Sequence, residues 1–310
     1  MRRLLRVFAV LNVHKPVGIT SHDVVSAVRR VFGLKRVGHA GTLDPMADGV
    51  LPVFLGPAAR LIEYVDSDKA YRLRVVFGLE SDTLDCEGEV HASASAQQAQ
   101  AAVSEAPLQA ALLAMTGVIE QRIPAYSAKR VDGKKLYQWA REGRPIDDRV
   151  KTVDLKSLSL HALTLGDDGR PQAVIDVTCG SGAFMRAIAR DLGESLGCGA
   201  VLAALTRTRH GRFLLPDSVT LAALRESASP CDFLRDPLPY LALPQWELPD
   251  ALAATRLLQG MPLDADALPA PLRALKDKDL CALTFEHRLI AVARWRDRKL
   301  RPEKAFAGSP

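Results

Sequence analysis

The alternation of hydrophobic and polar positions predicts a strand, a helix and a second strand in the first part of the chain. Residues 7–13 are almost all apolar, as in a buried strand. Thr20 followed three positions later by Asp23 is a capping-box pattern, and the apolar positions after it repeat at helical spacing until Gly33. From Tyr71 onward, apolar residues alternate with arginines, which predicts a strand with one face in the core.

The rest of the chain continues this mixture of helices and strands. Residues 236–249 are rich in proline and predict a linker. The mixture favours the α+β fold class. The remaining elements predicted on the same grounds are, in chain order, a strand near 50–55, a helix near 58–65, helical structure within 92–116, a strand over 172–179, a helix over 183–196, and a hairpin of strands 280–285 and 289–295.

The segment 36–51 carries the most informative candidate for chemistry, the carboxylate of Asp44. Pro45 fixes its own φ and disfavours the helical region for Asp44, so the loop is stiff where it carries the acid. Gly38 and Gly41 permit backbone angles or close approaches that other residues resist. A stiff loop that presents a lone acid suits nucleophilic or general-base chemistry. The alternative is a polar turn between two buried segments.

Composition narrows the class of protein only modestly. With 310 residues the chain has room for one large domain and one small one. A formal charge of +5 and a pI near 9.0 weakly favour an anionic partner such as nucleic acid. The 5 scattered cysteines argue against a disulfide framework or a zinc site and predict a cytoplasmic protein. The sequence has no window resembling a membrane span, and its basic start lacks a signal-peptide cleavage pattern.

Residues 121–149 mix basic and aromatic side chains. Cations meet phosphates, and aromatic rings stack on unpaired bases, so this composition suits an RNA-binding segment. A solvated helical hairpin is the alternative, and the residues alone do not separate the two. The residues concerned are Arg122, Tyr126, Lys129, Arg130, Lys134, Lys135, Tyr137, Trp139, Arg141, Arg144 and Arg149.

Residues 174–184 raise a different possibility, a methyltransferase that binds S-adenosylmethionine. A strand there leads into a Gly-Ser-Gly loop, as in the first motif of that fold, but a lone glycine loop is a weak signal. A Rossmann-type fold next needs a strand that ends in an acid to hold the ribose. The chain instead runs through 197–205 into the basic residues 206–211, so strand, helix and acid are not in the required order.

The motif around Asp44 resembles the catalytic motif of the TruB-type tRNA pseudouridine synthases, G-H-x-G-x-L-D-P-x-A-x-G, and Asp44 falls on the family's nucleophile. Residues 179–186 resemble the family's C-S-K-G-T-Y-I-R pattern, and Arg186 falls on the arginine that the family pairs with its aspartate. Ser181, Ala183 and Phe184 replace the usual lysine, threonine and tyrosine. Further matches in the same order, which together span 12–211, lie at 15–21, 68–71, 123–129, 133–137 and 197–205.

The resemblance implies a pseudouridine synthase fold, a mixed and largely antiparallel sheet with flanking helices, in residues 1–235. It also implies an RNA-clamping insertion at about 121–149 and a small PUA-like RNA-binding β domain in residues 241–310. The implied activity is isomerisation of uridine to pseudouridine at position 55 in the T-arm of tRNA. No cofactor or metal is expected, because nothing is oxidised and no group is carried away. The implied enzyme is a monomer without a membrane or an obligate protein partner.

The resemblance also implies roles for individual residues. The catalytic set comprises the nucleophile Asp44, Arg186 to keep it charged, and Tyr71 to stack on the uracil and assist in removing the C5 proton. Phe184 and Leu205 would wall the pocket, and His39 would fill the stack vacated by the flipped base. RNA contacts would come from Lys15, Tyr126, Lys129, Lys134 and Lys135.

Two rivals remain besides the methyltransferase. One is an RNA-binding or tRNA-folding protein that kept the fold and lost catalysis. The other is a guide-RNA-dependent pseudouridine synthase with a similar core motif. The 121–149 insertion and the lack of long basic tails favour a stand-alone enzyme.

Overall fold

The structure, a computed structural model, describes residues 7–126, 130–131, 134–135, 139, 142, 149–264, 268, 272 and 275–307. These residues form an α+β fold with one large mixed sheet, flanking helices and a smaller sheet near the C-terminal end, as the sequence predicted. Within the described residues no helix is both long and apolar enough to cross a membrane.

Ten of the described strands belong to the large sheet, which is mostly antiparallel. Two pairings are parallel: Ala9–Lys15 pairs with Val219–Thr220, and Ala47–Leu55 pairs with Ala200–His210. In order across the sheet the strands are β14 (Val219–Thr220), β1 (Ala9–Lys15), β3 (Ala47–Leu55), β12 (Ala200–His210), β4 (Lys69–Phe77), β11 (Pro171–Cys179), β10 (Val150–Leu165) and β7 (Gly117–Arg122), with β2 (Val37–His39) on β3 and β13 (Phe213–Leu214) on β12.

Strand β12 brings distant parts of the chain together at the centre of this sheet. Leu205 pairs with Ala47 of β3 on one side and with Leu73 of β4 on the other. Arg207 pairs with Tyr71 of β4. The segment that follows Asp44 therefore lies beside the strand that carries Tyr71. The sequence analysis did not predict β12 as a strand.

The first helix, α1 (Ser21–Phe32), begins and ends as its sequence predicts. The Thr20 hydroxyl accepts a hydrogen bond from the Asp23 amide at 3.1 Å, and the Asp23 carboxylate accepts one from the Thr20 amide at 2.9 Å. Gly33 ends the helix in the left-handed region, at φ 64. The apolar face of α1 packs on β1 and β3, next to the loop that carries Asp44.

The structure confirms the helical structure within 92–116, as two helices, and the helix predicted over 183–196. The helix predicted near 58–65 is a 3-10 segment, Gly56–Tyr64, and the helices Leu221–Glu226 and Ala251–Leu258 were not predicted. Among the described residues the remaining α-helices are α2 (Ala96–Ala102), α3 (Glu105–Ala114), α4 (Met185–Ser195), α5 (Leu221–Glu226) and α6 (Ala251–Leu258), and shorter 3-10 turns lie at Leu215–Asp217, Pro230–Phe233 and Leu238–Tyr240.

The arrangement of β11 shows that the methyltransferase alternative was wrong. That fold needs a parallel strand entering the glycine loop, with a right-handed crossover to the next parallel strand. Strand β11 instead runs antiparallel to both of its neighbours, β4 and β10.

Two strands that the sequence analysis did not predict form the outer part of the large sheet. The first residues of β10 pair with β7, and the rest of β10 pairs with β11. The expected RNA-clamping insertion connects β7 to β10. Within it the structure describes the short strands β8 (Arg130–Val131) and β9 (Lys134–Lys135), while most of 127–148 lies outside the described residues.

The C-terminal part contains the predicted hairpin, β17 (Leu280–Phe285) and β18 (Arg288–Arg296), joined by Glu286 and His287 at φ 50 and 61. These left-handed angles at both turn positions suit the twist of a tight hairpin. The sheet also contains β15 (Gln245–Glu247), β19 (Lys299–Ala305) and β16 (Leu263–Asp264), while β5 (Leu79–Ser81) and β6 (Val90–Ala92) pair separately.

Residues 236–249 connect the two sheets, as a linker would, but the segment is packed against both. Leu238 and Leu241 are buried and pack in one apolar cluster with Phe8, Phe54 and Phe306. This segment is therefore part of the core that joins the two sheets, because its leucines bury apolar surface from both.

Candidate active site

The loop that carries Asp44 connects β2 to β3 and is anchored by the elements beneath it. The Ser21 hydroxyl donates to the Leu43 carbonyl at 3.1 Å and accepts from the Leu43 amide at 2.9 Å. The Gly18 amide donates to the Pro45 carbonyl at 2.8 Å. The Asp44 side chain itself remains 43% exposed. The loop is thus fixed in place while its carboxylate stays accessible.

Both glycines of this loop lie where a side chain would collide with a neighbour. A Cβ on Gly38 would lie 2.8 Å from Cδ1 of Ile62. Gly41 has a φ of +69, and a Cβ there would lie 2.9 Å from Cε1 of His210. The predicted close approach is therefore confirmed at both positions.

Lys15 supports the same loop from inside the protein. It is fully buried, and its ammonium donates to the carbonyls of Pro16 at 2.9 Å, Pro45 at 3.3 Å and Ala47 at 2.6 Å. Burial lowers the pKa of Lys15 to about 8, against the attraction of Asp48 and Asp44. The expectation that Lys15 contacts an RNA phosphate is wrong, because its ammonium faces backbone oxygens in the interior.

Arg186, in the first turn of α4, ties Asp44 to two other parts of the chain. Its Nε lies 3.1 Å from Oδ2 of Asp44 and 3.6 Å from Oδ2 of Asp85. Its two terminal nitrogens donate to the carbonyls of Thr83 at 2.8 Å and Tyr126 at 2.7 Å. All three guanidinium nitrogens thus have oxygen partners, so the charge is buried without being left unpaired.

Asp85 is a member of this site that the sequence analysis missed. It lies in the turn after β5, and only 4% of the residue is exposed. The Thr83 hydroxyl donates to Oδ1 of Asp85 at 2.6 Å, and the Glu87 amide donates to the same atom at 3.0 Å. One carboxylate oxygen is thus held by the turn, and the other is left facing Arg186.

Asp44 and Arg186 open into a cavity of about 330 Å³. Its apolar walls include Tyr71, Phe184 and Leu205, the three residues expected to surround a base. Carboxylate, guanidinium and apolar walls together form a pocket with few polar groups, as small-molecule sites have. The other lining residues are Thr42, Leu43, Lys151, Gly182, Ala183 and Met185.

Tyr71 forms a buried wall of this cavity and is unsuited to act as a base at neutral pH. Burial raises the pKa of Tyr71, and the neighbouring Arg207 only partly opposes that rise. The phenol therefore keeps its proton.

Arg207, which the sequence analysis also missed, is fully buried and donates to the carbonyls of Val50 at 2.7 Å and Gly41 at 2.9 Å.

Phe184 is fixed by a residue that sequence reasoning overlooked, Gln121 on β7. The Gln121 amide accepts from the Phe184 amide at 2.8 Å and donates to the Phe184 carbonyl at 3.1 Å. Gln121 is fully buried, so this pair of hydrogen bonds is protected from water.

Comparison with models of known protein families decides to which family this chain belongs. Residues 29–185 match the N-terminal domain of the TruB family pseudouridylate synthases, and residues 186–236 match the C-terminal domain of tRNA pseudouridylate synthase B. The chain belongs to the TruB family of pseudouridylate synthases.

Two relatives show how much of the chain the TruB family accounts for. A tRNA pseudouridine synthase B of Acaryochloris marina is 43% identical over 257 residues, which cover 83% of this chain and 86% of the relative. One of Moorella thermoacetica is 40% identical over 294 residues, which cover 93% of this chain and 94% of the relative.

A solved structure supports the fold independently of close sequence similarity. The protein superposes on a chain in the crystal structure of a Cbf5–Nop10–Gar1 complex with a TM-score of 0.70. The superposition covers 96% of this chain and 85% of the other, at 23% identity. At that identity the likeness concerns the fold alone.

The TruB resemblance also assigned His39, Tyr126, Lys129, Lys134 and Lys135 to RNA binding. None of those that the structure describes lines the cavity. His39 lies on β2, is half-buried, and has a buried Nδ1 without a hydrogen-bond partner. Burial, followed by the charge of Arg207, lowers the pKa of His39, so the imidazole is neutral at pH 7. Tyr126 contributes its backbone carbonyl to Arg186. Lys129 lies outside the described residues, and Lys134 and Lys135 are described only as members of β9.

A search of the described residues finds no group of three or more histidine, cysteine, aspartate or glutamate side chains arranged to hold a metal ion.

Proposed function

We propose that this TruB-family enzyme converts the uridine at position 55 in the T-arm of tRNA to pseudouridine, with Asp44 as the nucleophile. The proposal rests on one observation, the Asp44 carboxylate 3.1 Å from Nε of Arg186 in the lining of a cavity walled by Tyr71, Phe184 and Leu205.

The reaction is an isomerisation. The bond from N1 of uracil to C1′ of the ribose breaks, and a bond from C5 to C1′ forms. The proton on C5 is lost, and N1 gains one, so atoms and electrons balance without a co-reactant. Asp44 would either attack the sugar or take part in an initial proton abstraction, and both routes need an ionised carboxylate beside the base.

Arg186 would pair with Asp44 and aim it, since its Nε lies 3.1 Å from Oδ2 of that carboxylate. Oδ2 of Asp85 lies 3.6 Å from the same Nε of Arg186, while Oδ1 accepts hydrogen bonds within the turn. Asp85 would therefore orient the guanidinium. We assign Arg186 and Asp85 positioning roles, since both act through Asp44.

Tyr71, Phe184 and Leu205 would enclose the detached uracil. A base that has left its sugar is lost if it diffuses away, so the walls must hold it while it turns. The protonated phenol of Tyr71 suits stacking on the uracil better than removal of the C5 proton, because a base must be deprotonated to accept a proton.

A uridine inside a folded arm must be extruded to reach this cavity, at a cost of a few kcal/mol. His39 is suited to fill the gap in the stack, because a neutral ring stacks without a charge to desolvate. Phosphate contacts from the insertion at 121–149, including Lys129, Lys134 and Lys135, would offset the cost of extrusion.

We further propose that residues 241–310 form a PUA-like RNA-binding domain beside a catalytic domain at 1–235. The enzyme would act on bare tRNA as a cytoplasmic monomer, without a guide RNA, a partner protein or a cofactor. Its described cysteines are all unpaired by disulfides, which suits a reducing compartment.

Tritium release from a tRNA transcript labelled at C5 of uridine tests the proposal. Wild-type protein should release tritium from position 55, and Asp44→Asn should bind the same tRNA and release none. Asp48→Asn is the matched control, because Asp48 lies four positions away, faces His14 at 3.4 Å and does not line the cavity. It should keep activity within a few-fold of wild type.

Normal turnover by Asp44→Asn would overturn the role of Asp44. Binding without tritium release by the wild type would instead favour a silent RNA-binding protein. Release only after a guide RNA is added would favour the guide-dependent class.

A further inference from the structure

One cation at the cavity has no role in the chemistry so far, the ammonium of Lys151. Lys151 lies on β10 directly opposite Gln121 of β7, two positions after the end of the insertion at 121–149. Its side chain crosses to the loop between β11 and α4, where its Nζ lies 3.3 Å from the Gly182 carbonyl. Of the described basic side chains, Lys151 and Arg186 are the two that line the cavity.

Lys151 differs from Arg186 in how its charge is matched. Arg186 is buried and faces Asp44, Asp85 and two carbonyls. Lys151 is partly exposed, and among the described residues it has no carboxylate within ion-pair distance. Its single carbonyl contact is long for a hydrogen bond, and an ammonium can donate three. It therefore has donors free for a ligand.

The charge around Asp44 creates a need for such a cation. Asp44, Asp85 and Arg186 together carry one formal negative charge, and of the three Asp44 and Arg186 line the cavity. A nucleotide that enters the cavity brings its phosphodiester toward that charge. Because an ammonium attracts a phosphodiester, a cation in the cavity lining lowers the free energy of the bound nucleotide.

The backbone of the neighbouring loop accommodates this side chain. Gly182 has a φ of +86, and a Cβ at that position would lie 1.6 Å from Nζ of Lys151. The space that a side chain at 182 would occupy is filled by the lysine ammonium. The loop itself supplies Ser181 where the resembled pattern has a lysine, so the cation at this loop comes from β10.

We propose that Lys151 binds the phosphodiester next to the extruded uridine and thereby holds the nucleotide in the cavity. This inference rests on the proposed function and adds a substrate contact to it. Lys151 follows the insertion at 121–149 by two positions and lines the cavity.

The test combines a variant with a change in the RNA. Lys151→Met keeps the length and apolar stem of the side chain and removes its charge. It should raise KM for a T-arm stem-loop by about three- to ten-fold, the scale of one hydrogen bond that stays partly exposed to water, with kcat nearly unchanged. Lys151→Arg should restore most of the affinity. The slope of log Kd against log salt should fall by about one contact.

A neutral methylphosphonate linkage, placed 5′ or 3′ of the target uridine in two separate RNAs, identifies the phosphate. At one of the two positions it should weaken wild-type binding by the same factor as Lys151→Met and should not weaken the variant further. Lys156→Met is the matched control, because Lys156 is on the same strand, pairs with Asp68 and does not line the cavity. It should show no such coupling.

The inference is overturned if both modified RNAs weaken wild type and Lys151→Met equally, or if Lys151→Met leaves KM and the salt slope unchanged. A loss of kcat with unchanged KM would also overturn it, since that result means that Lys151 only holds the Gly182 loop. In each of these cases wild type would still release tritium, which separates this failure from a failure of the proposed function.

Discussion

The large sheet buries charged side chains, whereas the five-stranded sheet near the C-terminal end is packed with apolar ones. Of the ten buried polar or charged residues in the part of the chain that the structure describes, nine belong to the large sheet and its loops, and the tenth, Thr284, lies in the smaller sheet. Those in the first group are Asn12, Lys15, Ser21, Ser81, Asp85, Gln121, Arg186, Arg207 and His210.

This difference separates residues that serve chemistry from residues that serve stability. Burying a charge costs free energy that a well-packed apolar side chain would not cost. Of the buried charges, Lys15, Asp85, Arg186 and Arg207 all contact the Asp44 loop or its partners. We infer that the buried charges of the large sheet cost stability but fix the carboxylate of Asp44, whereas the apolar interior of the small sheet serves stability. Four substitutions test that contrast, in order of decreasing effect.

Arg186→Lys should reduce kcat by about a thousand-fold, equivalent to about 4 kcal/mol. A lysine ammonium cannot face Asp44 and Asp85 while donating to the Thr83 and Tyr126 carbonyls, because it lacks the fork of the guanidinium. Single-turnover tritium release with saturating enzyme measures this effect. Retention of more than a tenth of the wild-type rate would contradict the role of Arg186, provided that circular dichroism shows a folded variant.

Leu283→Ala should show the opposite behaviour, a loss of about 3 kcal/mol in the free energy of unfolding with little change in kcat. Leu283 is fully buried in the apolar cluster of the small sheet, between Trp246 and Ala291 on the neighbouring strands. Denaturant unfolding and tritium release at 25 °C measure the two quantities. If kcat fell along with stability, the two regions would not be separable in the way that their interiors indicate.

Gln121→Leu should lower kcat by about ten- to thirty-fold, which corresponds to 1 to 2 kcal/mol. The substitution leaves the amide and carbonyl of Phe184 without their partners and so loosens a wall of the cavity. Gln100→Leu is a suitable control, since Gln100 donates to the Gly169 carbonyl at the surface and does not line the cavity. Equal effects of the two variants would count against a specific role for Gln121.

Lys15 should leave a signature in the dependence of stability on pH. Its pKa is lowered from 10.5 to about 8 in the folded protein, so between these values the unfolded chain binds more protons. The contribution of Lys15 to the free energy of unfolding therefore rises as pH increases through this window. Relative to Lys15→Met, wild type should gain about 1 kcal/mol between pH 7 and pH 9 in denaturant unfolding. If the difference in free energy of unfolding between the two proteins did not change with pH, Lys15 would not have the lowered pKa of a buried charge.

What the sequence determined by itself was local, because those features depend on neighbours within a few positions. Three such features are the capping box of Thr20 and Asp23, the end of α1 at Gly33 and the alternation from Tyr71. They follow from hydrogen bonds between near neighbours and from the periodicity of side chains within one segment. The motif around Asp44 also identified the family, since its residue types and spacing are specific.

What only the tertiary structure decided were contacts between residues far apart in the chain. Asp85 reaches Arg186, Gln121 holds Phe184, and Lys151 lies against Gly182, and no local pattern distinguishes these polar residues from exposed ones. Lys15 was misplaced for the same reason, since a lysine after a strand is ordinarily solvated. The sheet register sets these distances, and that register depends on how the strands β3, β12, β4, β11, β10 and β7 pack together rather than on any one segment.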